Sequence, residues 1–317
     1  MEKHYAAYGL ALRSSFPLPG MTPVVARGLP SLELELVTPE QLALAWSGPD
    51  GPPVWRGRLG DGSDLEIESG SAGDLLFTNG ERARYRLDAG KHVLMCAPFH
   101  PGLDWQRTLV TKVLSSISVM RGYEALHASA VESSSGALAI AAPTGMGKTT
   151  LALELMQRGW PLISDDVLAL ASTQQGVLAY PGTPHMNLAE SSLEGLEPQE
   201  IGATLALIAG ERWLSAHDIA REPRPMRAIC LLERGPGLAL DVHVLPPSPL
   251  PLAPYVLGLT GDVERERRKF DLYADLMGST TLMRLTCDAS VRPADLADLI
   301  EGALADRPAA LAMGGVR

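Results

Sequence analysis

Three groups of residues in this 317-residue chain have the types and spacing that phosphate chemistry uses. In the run Ala142-Pro-Thr-Gly-Met-Gly-Lys-Thr149, Gly145 and Gly147 stand where a bulky side chain would keep backbone N–H groups from reaching phosphate oxygens. Lys148 can then reach the β- and γ-phosphates of ATP, and the Thr149 hydroxyl can ligate Mg²⁺. The expected nucleotide contacts are Thr144, Gly145, Met146, Gly147, Lys148, Thr149 and Thr150. The P-loop pattern opens on a glycine where this chain has Ala142, whose methyl group is tolerated in extended backbone but not in a left-handed one.

The second group is Asp165-Asp166, one residue past an apolar strand. Doubly wound sheets place their active groups at the carboxyl ends of strands beside the phosphate loop. Two carboxylates there can divide the labour of phosphoryl transfer, one holding the Mg²⁺ shell while the other accepts the proton of an incoming hydroxyl. Without the loop, such a pair reads as a solvated turn or a helix cap. The third group is His127 in Leu126-His-Ala-Ser-Ala-Val131, on a strand expected to pair with the one entering the loop. It either faces the phosphates or is a satisfied core or edge histidine.

The elements needed to position these residues are legible around them. Apolar residues at Trp105, Leu109, Val113, Ile117 and Met120 predict an amphipathic helix capped by Asp104 and ended by Gly122. Two paired strands, Ala125 to Val131 and Ala137 to Ala142, feed the glycine-rich loop. A helix over Lys148 to Arg158 follows and stops at Gly159, and a strand over Trp160 to Ser164 delivers the Asp pair. Further strands are expected at Ala228 to Leu232 and Leu238 to Leu245, and helices at about 262–278 and 293–305, with a proline-rich stretch from Pro246 to Pro254.

Before Pro101 the pattern changes. Leu32, Leu34 and Leu36 alternate with Glu33 and Glu35, and Leu65 and Ile67 with Glu66 and Glu68, which predicts half-buried strands of a small antiparallel β domain. Turn residues at 48–51, 60–62 and Asn79-Gly80 separate them. The expected division is an N-terminal β-rich domain over 1–103 and a catalytic domain over 104–310, with Met313 to Arg317 a loose end.

Composition narrows the function classes. With 46% hydrophobic and 20% charged residues the chain reads as globular, and no window approaches the roughly 18 uninterrupted apolar residues of a membrane span. A net charge of -10 disfavours nucleic acid and anionic membranes as partners. Cys96, Cys230 and Cys287 lie far apart without zinc spacing, so they read as buried thiols of a cytoplasmic protein.

The order HASAV, GMGKTT, LISDD resembles the catalytic domain of the HPr kinase/phosphorylase family. The resemblance spans about residues 120–310 and implies an α/β P-loop kinase fold of the HPr kinase and phosphoenolpyruvate carboxykinase type. It implies Asp165 near the metal, Asp166 as proton acceptor, and catalytic roles for His127 and Lys148. Tyr8-Gly-Leu-Ala-Leu-Arg-Ser-Ser-Phe-Pro-Leu-Pro19, Tyr180-Pro-Gly-Thr-Pro184 and Pro225-Met-Arg-Ala-Ile229 are similar to HPr-kinase-like proteins encoded with lasso-peptide and related peptide-modification systems. That branch implies transfer to a serine hydroxyl of a peptide precursor, and the family implies oligomers. The chain lacks the glycine-rich signature that HPr enzymes carry after the Asp pair and associate with dephosphorylation, and its first 100 residues do not resemble their N-terminal domain.

The reading is therefore an ATP- and Mg²⁺-dependent serine kinase acting on a peptide or small protein. A nucleotide-binding regulator that hydrolyses ATP without a phosphoacceptor and a small-metabolite kinase are the alternatives. Arg221, Arg224 and Arg227, around Pro223 and Pro225, read as a loop that either offers a guanidinium to transferring phosphate or is simply solvated. Glu264 to Lys269 has mixed charges at helical spacing, which makes either an ion-paired surface or a substrate contact.

Overall fold

Alternating side chains build the first sheet as the pattern requires. In the computed structural model, which describes residues 2–174, 176–193, 198–257 and 263–305, Leu32, Leu34, Leu65 and Ile67 are buried while the glutamates between them are half-buried. The strands are β1 (Lys3–Ala7), β2 (Leu10–Ser14), β3 (Ser31–Leu36), β4 (Trp55–Arg58), β5 (Asp64–Ser69), β6 (Leu75–Asn79), β7 (Ala83–Asp88) and β8 (Val93–Pro98), with helix α1 (Pro39–Ala45) after β3. Their order is β1-β2-β3-β8-β7-β6-β5-β4. From β4 to β8 this is the expected antiparallel meander. The expectation of an all-antiparallel sheet fails at β3, which is parallel to both β2 and β8, because the connections 15–30 and 37–54 each return the chain to the same end of the sheet.

The helix expected after Asp104 forms as α2 (Asp104–Thr108), a π-turn (Leu109–Val113) and α3 (Leu114–Met120). Asp104 is its first residue rather than its cap. Trp105, Leu109, Val113 and Ile117 pack into one core with Tyr5, Leu12, Phe77 and Tyr85 of the first sheet. Met120, in the final turn, is 38% exposed. Two polar ties fix the helix to the sheet: Thr108 Oγ1 donates to Asn79 Oδ1 at 2.9 Å, and Tyr85 Oη donates to the Trp105 carbonyl at 2.5 Å.

The rest is a mixed α/β body. Its elements are β9 (Glu124–Leu126), β10 (Ala128–Ser133), β11 (Gly136–Ala141), α4 (Lys148–Gln157), β12 (Leu162–Ser164), β13 (Leu168–Thr173), β14 (Gly176–Tyr180), β15 (His185–Ala189), α5 (Pro198–Ile201), β16 (Gly202–Ile208), β17 (Glu211–Ala216), β18 (Arg224–Arg234), β19 (Asp241–Val244), β20 (Val256–Leu257), α6 (Val263–Ser279), β21 (Thr281–Cys287) and α7 (Pro293–Ala305). The large sheet runs β12-β10-β11-β18-β14-β13-β9-β20, with β21 beside β18 and β19 beyond it; β15, β17 and β16 form a small separate sheet. Among the described residues, only β11, β18 and β21 pair in parallel within the large sheet. Ile140, Cys230 and Leu285 face α4 and α7, while Ala139, Ile229 and Leu282 face α6, so helices cover both sides. Arg158 locks α4 to α7 through Asp298 at 2.7 Å and Glu301 at 2.9 Å.

Several expected elements come out differently. The strand expected over Ala125 to Val131 is broken at His127, where the chain leaves a pairing with β13 for one with β11. The strand before the Asp pair is only Leu162–Ser164, since the Trp160 and Pro161 positions are spent on leaving α4. The strand expected over Leu238 to Leu245 shrinks to an edge strand that pairs only with β21, which leaves Leu238, Leu240 and Val244 exposed. Arg224 and Arg227 lie in β18 rather than in a loop, and Arg224 pairs with Glu132. Pro246 to Pro254 ends in a short 3-10 turn, Leu250–Tyr255. In the Glu264 to Lys269 segment of α6, Lys269 pairs with Glu266 at 2.7 Å. All three cysteines are free and buried. The C-terminal Met313 to Arg317 lies outside the described residues. Among the described residues, no helix is long and apolar enough to cross a membrane.

Candidate active site

The loop from Ala142 to Gly147 leaves the carboxyl end of β11 and opens α4, so the first N–H groups of a ten-residue helix point into the space above the strand. Gly145 and Gly147 both have positive φ, 81° and 94°. A Cβ on Gly145 would meet nothing within 4 Å, so its glycine answers to backbone conformation and to open approach rather than to packing. Ala142 is buried and has no positive φ, which accounts for an alanine where the strict pattern has glycine. Its carbonyl accepts from Lys148 Nζ at 3.0 Å.

Lys148 is buried to 7% exposure, and its ammonium also lies 3.1 Å from His127 Nε2. Because an ammonium only donates, His127 Nε2 must accept, which places the ring proton on Nδ1. That nitrogen lies 3.0 Å from the Asp166 carbonyl and 3.2 Å from Asp166 Oδ1. The break between β9 and β10 gives the imidazole this position; the His127 amide donates to Tyr255 O at 2.6 Å, one step beyond the β9–β20 pairing and outside the ladders with β13 and β11. Burial pushes the Lys148 ammonium pKa down, helped by nearby Lys112 and opposed by the two aspartates.

Asp165 and Asp166 are neighbours, and on a continuing strand they would point to opposite faces. Both instead line one cavity, because Asp166 adopts a left-handed backbone with φ 69°. Ser164 Oγ donates to Val167 O at 2.5 Å and closes this turn. A Cβ on Gly182 would come within 2.1 Å of Ser164 Oγ and 2.8 Å of the Tyr8 ring, so the turn is pressed from behind by Tyr8-Gly9 and Tyr180 to Pro184. Tyr8 N donates to Pro181 O at 2.7 Å, and Tyr123 bridges the two segments, its hydroxyl donating to Gly9 O at 2.9 Å and its ring meeting that of Tyr180 edge to face at 4.9 Å. Tyr8 and Gly9, both of positive φ, form the β1–β2 turn.

The two carboxylates are set apart electrostatically. Burial raises the Asp165 pKa, as does the charge of Asp166, against hydrogen bonds from Ser129 Oγ at 2.5 Å and Thr149 Oγ1 at 2.9 Å. For Asp166, burial pushes upward but is outweighed by Lys112 and His127, which hold the carboxyl well below the usual carboxylate range. Lys112 projects from the π-turn and pairs directly with Asp166 Oδ2. Environments that push two neighbouring carboxylates in opposite directions assign them different chemistry.

Among the described residues no group of three or more His, Cys, Asp and Glu side chains could hold a metal by itself. The donor set here is instead the Thr149 hydroxyl and the Asp165 carboxylate, 2.9 Å apart, with no ion pair to Asp165 among the described residues. That fits Mg²⁺, which keeps several waters and is bound through one or two protein oxygens plus phosphates. A buried carboxylate without a cationic partner is also one that a divalent ion would relieve.

The cavity has a volume of about 490 Å³ and is lined by His127, Thr144, Gly145, Gly147, Lys148, Thr149, Thr150, Asp165 and Asp166. Of the positions singled out in the sequence, Met146 differs: its side chain packs into the core against which α4 lies, and its amide donates to Pro143 O at 3.2 Å. Arg221, Arg224 and Arg227 do not line the cavity. Sequence reasoning missed Lys112 and Ser129, and it missed the end of β4 and the connection to β5, whose Arg58, Leu59, Gly60 and Asp61 form one wall. Ser129 had a signal, lying two residues from His127 on the same strand face. Lys112 had none, as a lone polar residue beside an apolar stripe.

No protein-family model matches the sequence, and no curated protein matches it. Among solved structures, the chain is similar to the HPr(Ser) kinase/phosphatase from Coxiella burnetii at 12% identity and a TM-score of 0.34. The likeness covers 57% of this chain and 97% of that one.

Proposed function

We propose that the chain is a Mg-ATP-dependent phosphotransferase that moves the γ-phosphoryl group to a hydroxyl, with the serine of a peptide or small protein as acceptor. The observation that carries this reading is the meeting in one cavity of the α4 N-terminus with Lys148 and Thr149, Asp165 beside Thr149, and an ionised Asp166 opposite them. The backbone amides of the loop and the Lys148 ammonium bind and orient the β- and γ-phosphates. Thr149 and Asp165 would hold Mg²⁺, which supplies charge neutralisation between β- and γ-phosphates.

Asp166 accepts the hydroxyl proton as the acceptor oxygen bonds to γ-phosphorus and the bond to the β–γ bridging oxygen breaks, leaving ADP. Its low pKa makes it a weak base, which suits a loose transition state in which orientation of the hydroxyl matters more than early proton removal. His127 connects Lys148 to Asp166 and keeps the two in register. A ribosomal peptide precursor, cytoplasmic location and self-association belong to this proposal through the sequence resemblance.

The test is incubation of the purified protein with Mg-ATP and a pool of serine-containing peptides, read by product mass. Phosphopeptide from the parent protein and none from a folded Lys148→Ala variant is the expected result; no phosphopeptide and no nucleotide binding would overturn the reading.

A further inference from the structure

The main cavity has a side pocket. It holds about 180 Å³ and lies between the β4–β5 hairpin and the helix over 104–120. Trp55, Leu59 and Lys112 line both spaces, so the two adjoin. Beyond them the walls are apolar: Leu65, Ile67, Val119 and Val167 are all buried. The one buried hydroxyl on the wall, Ser115, spends its proton on the helix, with Oγ 2.8 Å from Thr111 O. An apolar cavity of about 150 Å³ is enough for a benzene ring, so this one has room for a single large apolar side chain.

Position decides what such a side chain belongs to. None of the loop residues from Thr144 to Thr150 touches the side pocket, whereas Val167 follows Asp166 and Lys112 pairs with it. In-line transfer brings the acceptor in from the side opposite the leaving phosphates, which is the Asp166 side. Trp55 lies on β4, the terminal strand of its sheet, whose outer edge has no strand partner among the described residues. An extended peptide can run beside such an edge.

We infer that the side pocket is an acceptor subsite that receives a leucine- or phenylalanine-sized side chain of a peptide next to its phosphorylated hydroxyl, and that the N-terminal sheet therefore selects the acceptor. This rests on the phosphotransfer reading above. The occupant is an apolar peptide side chain; the adenine ring and a small metabolite are outcomes of the test.

The experiment uses the full chain, Mg-ATP, and short synthetic peptides with one serine followed by Leu, Phe, Ala or Asp. Burial of one large side chain predicts a kcat/KM for the Leu and Phe peptides at least about tenfold above the Ala and Asp peptides. The preference should fall in Leu59→Ala, which opens the rim, and in Ser116→Phe, which fills the pocket, with the change in peptide KM rather than in the KM for ATP. Equal use of all four peptides overturns this inference alone; use of none while Mg-ATP still binds overturns it together with the peptide-acceptor reading. A raised KM for ATP in both variants assigns the pocket to the nucleotide and also overturns it. Failure to bind Mg-ATP overturns both readings.

Discussion

Lys112, from the π-turn of the helix over 104–120, makes an ion pair with Asp166, from the turn after β12. The pair crosses from the segment packed on the first sheet to the segment carrying the Asp pair. It is the main force against burial in setting the Asp166 carboxyl below its usual range.

Removing that cation should be visible in pH profiles. A depressed folded-state pKa means that Asp166 contributes stability above the ordinary carboxylate range and loses it as pH falls through the folded value. In Lys112→Met the acid limb of kcat/KM should move to higher pH, and the stability gap from the parent protein should narrow as pH falls below about 4. Stopped assays and denaturant titrations across pH check this. An unmoved acid limb would mean that Asp166 does not titrate in the reaction.

Asp165 should behave in the opposite sense. Its raised pKa marks a charge that burial disfavours, so its stability contribution is full below the ordinary carboxylate value and declines as pH rises through the folded one. Asp165→Asn, which keeps an oxygen to accept from Ser129 and Thr149, should leave the metal-free melting temperature near neutral pH equal or higher. Mg²⁺-dependent turnover should fall by about 10² or more, as a metal oxygen is lost. A destabilised Asp165→Asn protein with intact Mg²⁺ dependence contradicts the assignment.

Lys148 carries a lowered pKa from burial, so the alkaline limb of kcat/KM for ATP should begin below the ordinary lysine range. Lys148→Arg should remove that limb, and Lys148→Ala should cost at least about tenfold in affinity or turnover, the value of one charge-assisted hydrogen bond. Isothermal titration with Mg-ATP over pH separates the two effects.

Gly145→Ala isolates the loop. A left-handed φ of 81° strains an alanine by about 1–2 kcal/mol, while the added methyl group meets no protein atom. Nucleotide affinity should fall by more than thermal stability does, because the methyl group stands where phosphate oxygens approach. Equal losses in both would reduce Gly145 to a turn residue.

These predictions draw on features of unequal visibility in the sequence. The unit from Ala137 to Gly159 was legible because periodicity changes there from strand to helix around two glycines, and all of it acts locally. The Asp pair was legible for the same reason. For His127 the sequence leaves open whether the ring meets the loop, and an apolar run does not reveal that its strand changes partners there. Lys112 was invisible: the π-turn that presents it is not encoded by spacing, and its partner Asp166 is distant in sequence. The wall at Leu59 and Asp61 was also hidden, because only the packing of Trp105 and Leu109 against Phe77 and Tyr85 brings the first sheet to the cavity. Parallel pairing of β3 depends likewise on a long connection that pattern reading leaves open.

The most direct measurement is the partition of radiolabelled γ-phosphate between a serine peptide and water, for the parent protein and for Asp166→Asn. The account predicts label in the peptide, and a loss of about 10²–10⁴ in transfer for Asp166→Asn with Mg-ATP binding retained. Label released only as inorganic phosphate, at the same rate in both proteins, would contradict it.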